Sequence, residues 1–364
     1  MGNMQDGKLD WSDLVFTSDP DEIQRYRLSN GDVLFNRTNT VELVGKCSIF
    51  ISKRPAIFAG YLIRINCDAS KLDSRYLTYV MNTEFARKHS VKVLSVAVGQ
   101  ANINGQKVKT YPIPVPPTLA EQKAIASALS DADASIESLE QLLAKKRLIK
   151  QAAMQELLTC RRRLPGFGED WKEKCIGDFA VCYSGGTPST AVADYYGGDI
   201  PWITSSDLNR RYIHQVDGRI SKPGFENSAA KMVEPNTLLI ALYGATAGVP
   251  AISRISAAIN QAVLAIVPKS GSVEFLFFQL SRMRDWLIST YTQGGQPNLS
   301  GQIIKDLKIS LPNLTEQRAI SQHLSDMDLE IRAVQNRLTK VRHLKHAMMQ
   351  QLLTGRIRLQ ASQA

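Results

Sequence analysis

The side chains of this sequence that could do covalent chemistry do not assemble into a recognisable set. No G-x-x-x-x-G-K-[ST] phosphate loop occurs, and the glycine pairs at Gly185 and Gly197 do not fit G-x-G-x-x-G. The Asn/Asp-Pro-Pro-aromatic motif of amino-methyltransferases is missing, and Val115-Pro116-Pro117-Thr118 does not replace it. The five histidines are scattered. His343 and His346 share a helix face, yet no carboxylate or cysteine near them completes a metal set, so a solvated or DNA-facing helix side is expected there. The five cysteines are an odd number without C-x-x-C spacing and read as reduced thiols. The chain is therefore expected to have no catalytic residue, metal or cofactor of its own.

Recognition chemistry is better represented. Bidentate Arg, Lys, Asn and Gln match base edges in a DNA major groove, any donor matches a phosphate, and loops are natural carriers of both. Candidates in the first half are Asn36, Arg37, Thr38 and Lys46 around a strand turn, with Gln100, Asn102, Asn104 and Lys107 in a Gly/Asn-rich loop. In the second half Thr204, Ser205, Ser206, Tyr243, Thr246, Gln293, Gln296 and Asn298 occupy comparable places. The competing reading is that these loops are turns built for local hydrogen bonding. Gln100/Gln296 and Asn102/Asn298 recur in both halves, which favours scaffold; Arg37, Lys46 and Tyr243 do not recur and are better readers. Tyr195 and Tyr196 have the shape to stack on a sugar or base, but such residues more often sit in a core or at its rim.

Those loops must be held by something, and the sequence says what. The stretch from Thr118 to about Leu164 occurs again from Asn313 to about Leu359: TLAEQKAIASALSDAD matches NLTEQRAISQHLSDMD, and MQELLTCRRRL matches MQQLLTGRIRL. Upstream of each copy, GQANINGQKVK at Gly99 matches GQPNLSGQIIK at Gly295. Pro117 and Pro312 end an extended segment, Thr118 and Asn313 are good N-caps, and Glu121 and Glu316 stand where a carboxylate can reach back to the cap N–H. Apolar residues then keep a heptad register, with Ile125, Leu129, Ile136, Leu139, Leu143 and Leu157 in one copy and Ile320, Leu324, Ile331, Val334, Leu338 and Leu352 in the other. Each helix opens acidic and closes basic, so an antiparallel pair sets acidic starts against basic ends. Two alternatives stay open: each helix dresses its own dipole, or the apolar stripes meet another protein.

The segments before each helix repeat too. Val33-Leu34-Phe35 is answered by Leu238-Leu239-Ile240-Ala241-Leu242, Leu43-Val44-Gly45-Lys46-Cys47 by Thr246-Ala247-Gly248-Val249-Pro250, and the Tyr61–Ile65 strand by Ala262–Val267. A helix over Leu72–His89 is answered by one over Phe275–Tyr291. The expected domains are 1–117, 118–164 (helix), 165–312, 313–359 (helix) and a tail, 360–364. The second module has an N-terminal portion (Trp171, Gly185-Gly186-Thr187-Pro188-Ser189, Ile200-Pro201-Trp202-Ile203) without a counterpart in the first, which begins roughly where Leu208 lies in the second; the first module is then either a natural variant or an N-terminally truncated product, and truncation is the expectation.

Composition sets the class. The 364 residues are 44% hydrophobic and 21% charged, in the range of an ordinary water-soluble protein, with room for two or three domains. A formal net charge of +10 points to a polyanionic partner, nucleic acid first. No apolar stretch approaches membrane-spanning length and no basic-then-apolar signal opens the chain, so the cytoplasm is the expected compartment and no membrane partner is expected.

This order of parts resembles the specificity subunit of type I restriction-modification systems, the HsdS family. The doubled L-x-EQ-x-x-I (Leu119–Ile125 and Leu314–Ile320), the LPGF-x-x-x-W opening of the second module and its GGTPS…IPWI run carry the resemblance, which covers nearly the whole chain. It implies an α+β fold of two target-recognition domains joined by two long helices forming an antiparallel coiled coil, with a pseudo-two-fold internal repeat. It further implies a non-catalytic DNA-binding subunit that reads a bipartite, asymmetric double-stranded target. Its partners would be modification (methyltransferase) and restriction (translocase/nuclease) subunits, and S-adenosylmethionine, ATP and Mg would belong to those partners. The rival from another class is a coiled-coil scaffold that binds no DNA and bridges two protein-binding modules.

Overall fold

Strands with a continuous apolar run are buried on both faces, and both modules are built on one. In the computed structural model, which describes residues 2–5, 7–97, 99–291 and 298–359, Val33–Asn36 and Leu238–Ala241 are wholly buried central strands. Each is flanked by two antiparallel neighbours in one shared register. Val33 faces Ile49 and Ile65; Leu238 faces Ile252 and Ile266. The strand entries match as well, since Gly31 (φ 95°) donates its N–H to Phe50 O and Asn236 (φ 70°) to Ser253 O. Glycine and asparagine are the residues that tolerate this left-handed backbone.

The chain divides into two compact units, Met1–Leu142 with Val334–Ala364, and Leu143–Ala333. In the first, the central strand lies between Cys47–Ile49 and Leu62–Ile65. One face packs Val33, Phe35 and Cys47 against Leu77 and Met81. The other packs Leu34 and Phe50 against Met4, Leu9 and Trp11 beside a cavity of about 470 Å³. The expected Leu72–His89 helix is two helices, Ser74–Met81 and Glu84–Val93. The break falls at Asn82, whose amide donates to Cys47 O and Thr78 O and accepts from Cys47 N, while Thr83 caps the next helix.

In the second unit the sheet has five strands, in the order Ala180–Ser184, Val263–Pro268, Leu238–Ala241, Pro250–Ser253 and Tyr212–Ile213. Leu238, Ile240, Ile252 and Ile266 face the Val273–Tyr291 helix. Leu239, Ala241 and Val263 are sealed with Ile203, Val233 and Ile259 of a second, four-stranded sheet.

The repeated stretches form helices of 39 residues, Leu119–Leu157 and Leu314–Leu352, each about 58 Å long at 1.5 Å per residue. They end seven residues before the expected boundaries at Leu164 and Leu359. The N-caps are as expected: Thr118 Oγ1 accepts from Glu121 N at 3.2 Å and Asn313 Oδ1 from Glu316 N at 2.9 Å. The reciprocal arm of the capping box is not formed, because both carboxylates are taken by arginines. Glu121 receives Arg358 through two bonds of 2.7 Å, and Glu316 receives Arg163 at 2.9 and 2.6 Å and the Trp171 indole at 3.2 Å. Within the first unit, Glu121, Asp133 and Glu140 pair with Arg358, Lys345 and Arg342. Within the second, Lys146, Lys150 and Arg163 pair with Glu330, Asp328 and Glu316. Numbers rise on one side as they fall on the other, so the paired segments of each unit run antiparallel. Ile125, Leu129, Leu139, Leu143, Leu157, Ile320, Leu324, Leu338 and Leu352 are buried, and Ile136, Ile331 and Val334 half-buried.

Candidate nucleic-acid interface

In the first unit the two predicted loops meet. Gly45 (φ 90°) lets the chain turn back on the central strand: its N–H donates to Asn36 O, and Asn36 N donates to Lys46 O, both at 2.9 Å. A Cβ on Gly45 would lie 2.5 Å from Ser90 Oγ, so the tight turn requires glycine. Beyond it, Thr38–Asn39 pairs with Gln100–Asn102, Asn102 Nδ2 donates to Thr38 Oγ1 at 2.8 Å, and Ile103 N donates to Arg37 O at 2.9 Å. The Gly99 segment is thus a strand followed by a short helix, with Asn104 as its cap through Lys107 N. Asn36 departs from expectation. It is 1% exposed at the end of a central strand, with no partner for its Oδ1 among the described residues, and cannot reach a base edge.

What remains on this surface is cationic. Lys107 Nζ donates to Ser95 Oγ at 2.6 Å and Lys46 Nζ to Gln5 Oε1 at 3.5 Å, both neutral partners. Arg37 is half-buried and, like them, forms no ion pair among the described residues. Three uncompensated cations beside the exposed amides of Gln100 and Asn104 make a surface suited to phosphate and base-edge contacts.

The same frame recurs in the second unit. Gly248 (φ 72°) donates to Ala241 O, Ala241 N to Val249 O, Leu299 N to Leu242 O, and Tyr243 bridges Asn298. Residue for residue, Tyr243 replaces Thr38, Leu242 replaces Arg37, Val249 replaces Lys46 and Ala241 replaces Asn36. Asn102 and Asn298 share one scaffold place. Thr204, Ser205 and Ser206 form the cap of a short turn, with Thr204 N and Oγ1 both donating to Asp207 Oδ2. Thr246 lies in the turn that ends at Val249 N. Gln293 and Gln296 lie outside the described residues.

Sequence reasoning passed over the Asn260–Ala262 turn, around which the second surface gathers. Asn260 N donates to Ile203 O beside Thr204, Leu242 N donates to Ala262 O beside Tyr243, and Gln261 Oε1 accepts from Thr187 Oγ1 of the GGTPS run. That run needs its glycines, since a Cβ on Gly185 would meet Ile259 O at 1.8 Å. Gln261 is exposed, and its counterpart in the first unit is Gly60. The signal that could have found it was the repeat itself, read for its differences.

A family model described as the type I restriction modification DNA specificity domain matches residues 12–145 and 168–343. The chain belongs to that family. A putative type I restriction enzyme MjaX specificity subunit from Methanocaldococcus jannaschii is 27% identical over 376 residues, covering 98% of this chain and 86% of the relative. The EcoR124I/EcoR124II specificity subunit of Escherichia coli is 26% identical over 278 residues, 72% of this chain and 65% of that protein. Among solved structures, the S subunit of a type I system from M. genitalium superposes with a TM-score of 0.61 at 16% identity, covering 90% of this chain and 84% of that one. The HsdS subunit from Thermoanaerobacter tengcongensis gives 0.52 at 17% identity over 98% and 89%. These structures share the fold.

The doubled EQ has the same place in both units of this specificity-domain chain. Gln122 Oε1 accepts from Asp73 N and its Nε2 donates to Lys71 O, both at 3.0 Å; Gln317 Oε1 accepts from Ser272 N at 2.9 Å and its Nε2 donates to Pro312 O at 2.8 Å. Asp73 and Ser272 open the module helices through their side chains, so each glutamine ties a long helix to the first turn of the module it serves. Arg358 holds the Glu121 carboxyl below the usual glutamate range, chiefly through its hydrogen bonds. Among the described residues no cluster of metal-ligating side chains occurs, and no helix is long and apolar enough to cross a membrane.

Proposed function

We propose that this specificity subunit reads a bipartite, asymmetric DNA target, one part with each module, and that the two 39-residue helices form a coiled-coil spacer fixing the gap between the parts. The observation that carries this reading is one strand frame used twice with different surface residues. Thr38, Lys46 and Gly60 stand in one module where Tyr243, Val249 and Gln261 stand in the other, and Arg37 stands where the second module buries Leu242. A frame that repeats while its surface differs is what two unlike half-sites require.

In this proposal Arg37, Lys46 and Lys107 contact phosphates and place the first module, while the exposed amides and Tyr243, Gln261 and Thr204 face bases or sugars. The chain is not an enzyme. Methyl transfer and ATP-driven restriction belong to modification and restriction subunits that it holds on DNA, and S-adenosylmethionine, ATP and Mg act there.

Fluorescence anisotropy with a labelled duplex, titrated with salt, tests the DNA-binding part. The log of affinity falls linearly with log salt, with a slope near −0.9 per phosphate contact. Binding that ignores salt, or no binding in the presence of modification subunits, returns the chain to the rival reading of a protein-bridging scaffold.

A further inference from the structure

Each unit holds a second ion-pair site, about three turns along the long helix from the EQ–Arg contacts, and the two sites match atom for atom while using different donors. In the first unit Asp133 Oδ1 accepts from Lys345 Nζ at 2.6 Å and Oδ2 from Tyr79 OH at 2.8 Å. The same hydroxyl lies 3.2 Å from Ser130 Oγ, three residues before the aspartate, and Lys345 sits over the Tyr79 ring. In the second unit Asp328 Oδ1 accepts from Lys150 Nζ at 2.5 Å and Oδ2 from Arg211 Nη1 at 3.1 Å. Arg211 Nη2 donates to Ser325 Oγ at 2.9 Å, again three residues before the aspartate, and Lys150 sits over the Phe278 ring.

Phe278 occupies the place of Tyr79, since both stand six residues after the residue whose N–H binds the EQ glutamine, Ser272 or Asp73. It lacks the hydroxyl. Arg211, just before the Tyr212–Ile213 edge strand, supplies the missing donor, its guanidinium 4.5 Å from the Phe278 centroid and 4.8 Å from that of Tyr212. Its side chain is 11% exposed, too enclosed to serve as a phosphate ligand.

We propose that Tyr79 and Arg211 are positioning residues, each fixing the angle at which its module departs from the long helix by binding the Asp–Ser pair of that helix. The glutamine contact at the helix start and apolar packing, of Tyr76 and Val80 on Ile125 and Leu129 and of Phe275 and Phe278 with Ile320 and Leu324, hold each module on its helix without directional bonds further along it. The aspartate, about three turns further on, adds the directional contacts that set the angle. The idea rests on the bipartite reading above, because the angle matters to function only if both modules engage one duplex.

The test uses the full chain with its modification subunits, and duplexes carrying the target that the wild-type assembly selects from a randomised pool. Spacers are of natural length, one base pair longer and one shorter. Wild type should prefer the natural spacer by roughly tenfold, about 1.4 kcal/mol. Tyr79→Phe and Arg211→Met should each reduce that preference to about two- to threefold while leaving the salt slope unchanged. Arg211→Met with Phe278→Tyr rebuilds the first unit's arrangement and should restore it. The proposal is overturned if either single variant keeps the full spacing preference, or if the folded double variant recovers none of it. Should Arg211→Met not fold, Tyr79→Phe, which deletes one oxygen, decides alone. A wild-type chain indifferent to spacing would instead overturn the bipartite reading, and this inference with it.

Discussion

Replacing Gln317 with Met should cost about 3 kcal/mol, through two backbone groups rather than through lost volume. Gln317 is 5% exposed and joins Ser272 N (2.9 Å) to Pro312 O (2.8 Å). Met fills similar space but pairs with neither, leaving an N–H and a C=O unsatisfied in a buried place, each costing about 1–3 kcal/mol. For a unit of this size, each kcal/mol moves the midpoint by roughly 2–4 °C, so differential scanning calorimetry should show a transition lowered by about 6–12 °C. Gln122→Met should act likewise on the first unit, where the same amide joins Asp73 N to Lys71 O. Arg318→Met, on the adjacent exposed residue, is the control and should shift nothing. A shift below about 1 °C for Gln317→Met, with the fold intact, would refute the claim that the glutamine anchors the helix to the module.

Gly45→Ala should destabilise the first unit by about 1–3 kcal/mol, since the new Cβ meets Ser90 Oγ at 2.5 Å on a backbone with φ of 90°; urea unfolding checks it. Ion-pairing keeps the Glu121 carboxyl ionised to lower pH in the folded chain than in the unfolded one. The stability it contributes is therefore present above the ordinary glutamate pKa and lost as pH falls through the depressed folded value; Arg358→Gln should remove that part of the acid sensitivity in melts between pH 7 and 3. Arg37→Ala, Lys46→Ala and Lys107→Ala should each weaken binding to all sequences alike and reduce the salt slope by about one, read by anisotropy. Asn36→Ala should leave sequence preference unchanged, because the residue is buried; a changed methylation motif would contradict its placement.

Much of the fold was legible because the chain states it twice. The doubled EQ stretch, the proline stops and the heptad register announced the helices, and the Val33 and Leu238 runs announced the central strands. What the pattern could not give was the use of particular polar atoms. Glu121 and Glu316 suit a capping box by spacing alone, and only the arginines that return from Arg358 and Arg163 withdraw their carboxylates from that role. One helix over Leu72–His89 was reasonable by periodicity, yet Asn82 binds both backbone groups of Cys47, 35 residues away in sequence, and ends the first helix there. Asn36 looked like a loop residue because a polar side chain ends an apolar run; two backbone bonds to the Gly45 turn make it the last residue of the strand instead. Arg211 was invisible for a different reason, since nothing local to it says that Phe278 lacks a hydroxyl.

The most direct test of the central claim is to map methylated adenines in cells that carry this chain with its modification subunits. The account predicts a single motif of two unlike half-sites separated by a gap of constant length, with the first half lost or altered when residues around Gln100 and Asn104 are exchanged and the second when those around Tyr243 and Gln261 are. A palindromic motif, one uninterrupted motif, or half-sites at variable separation would contradict it.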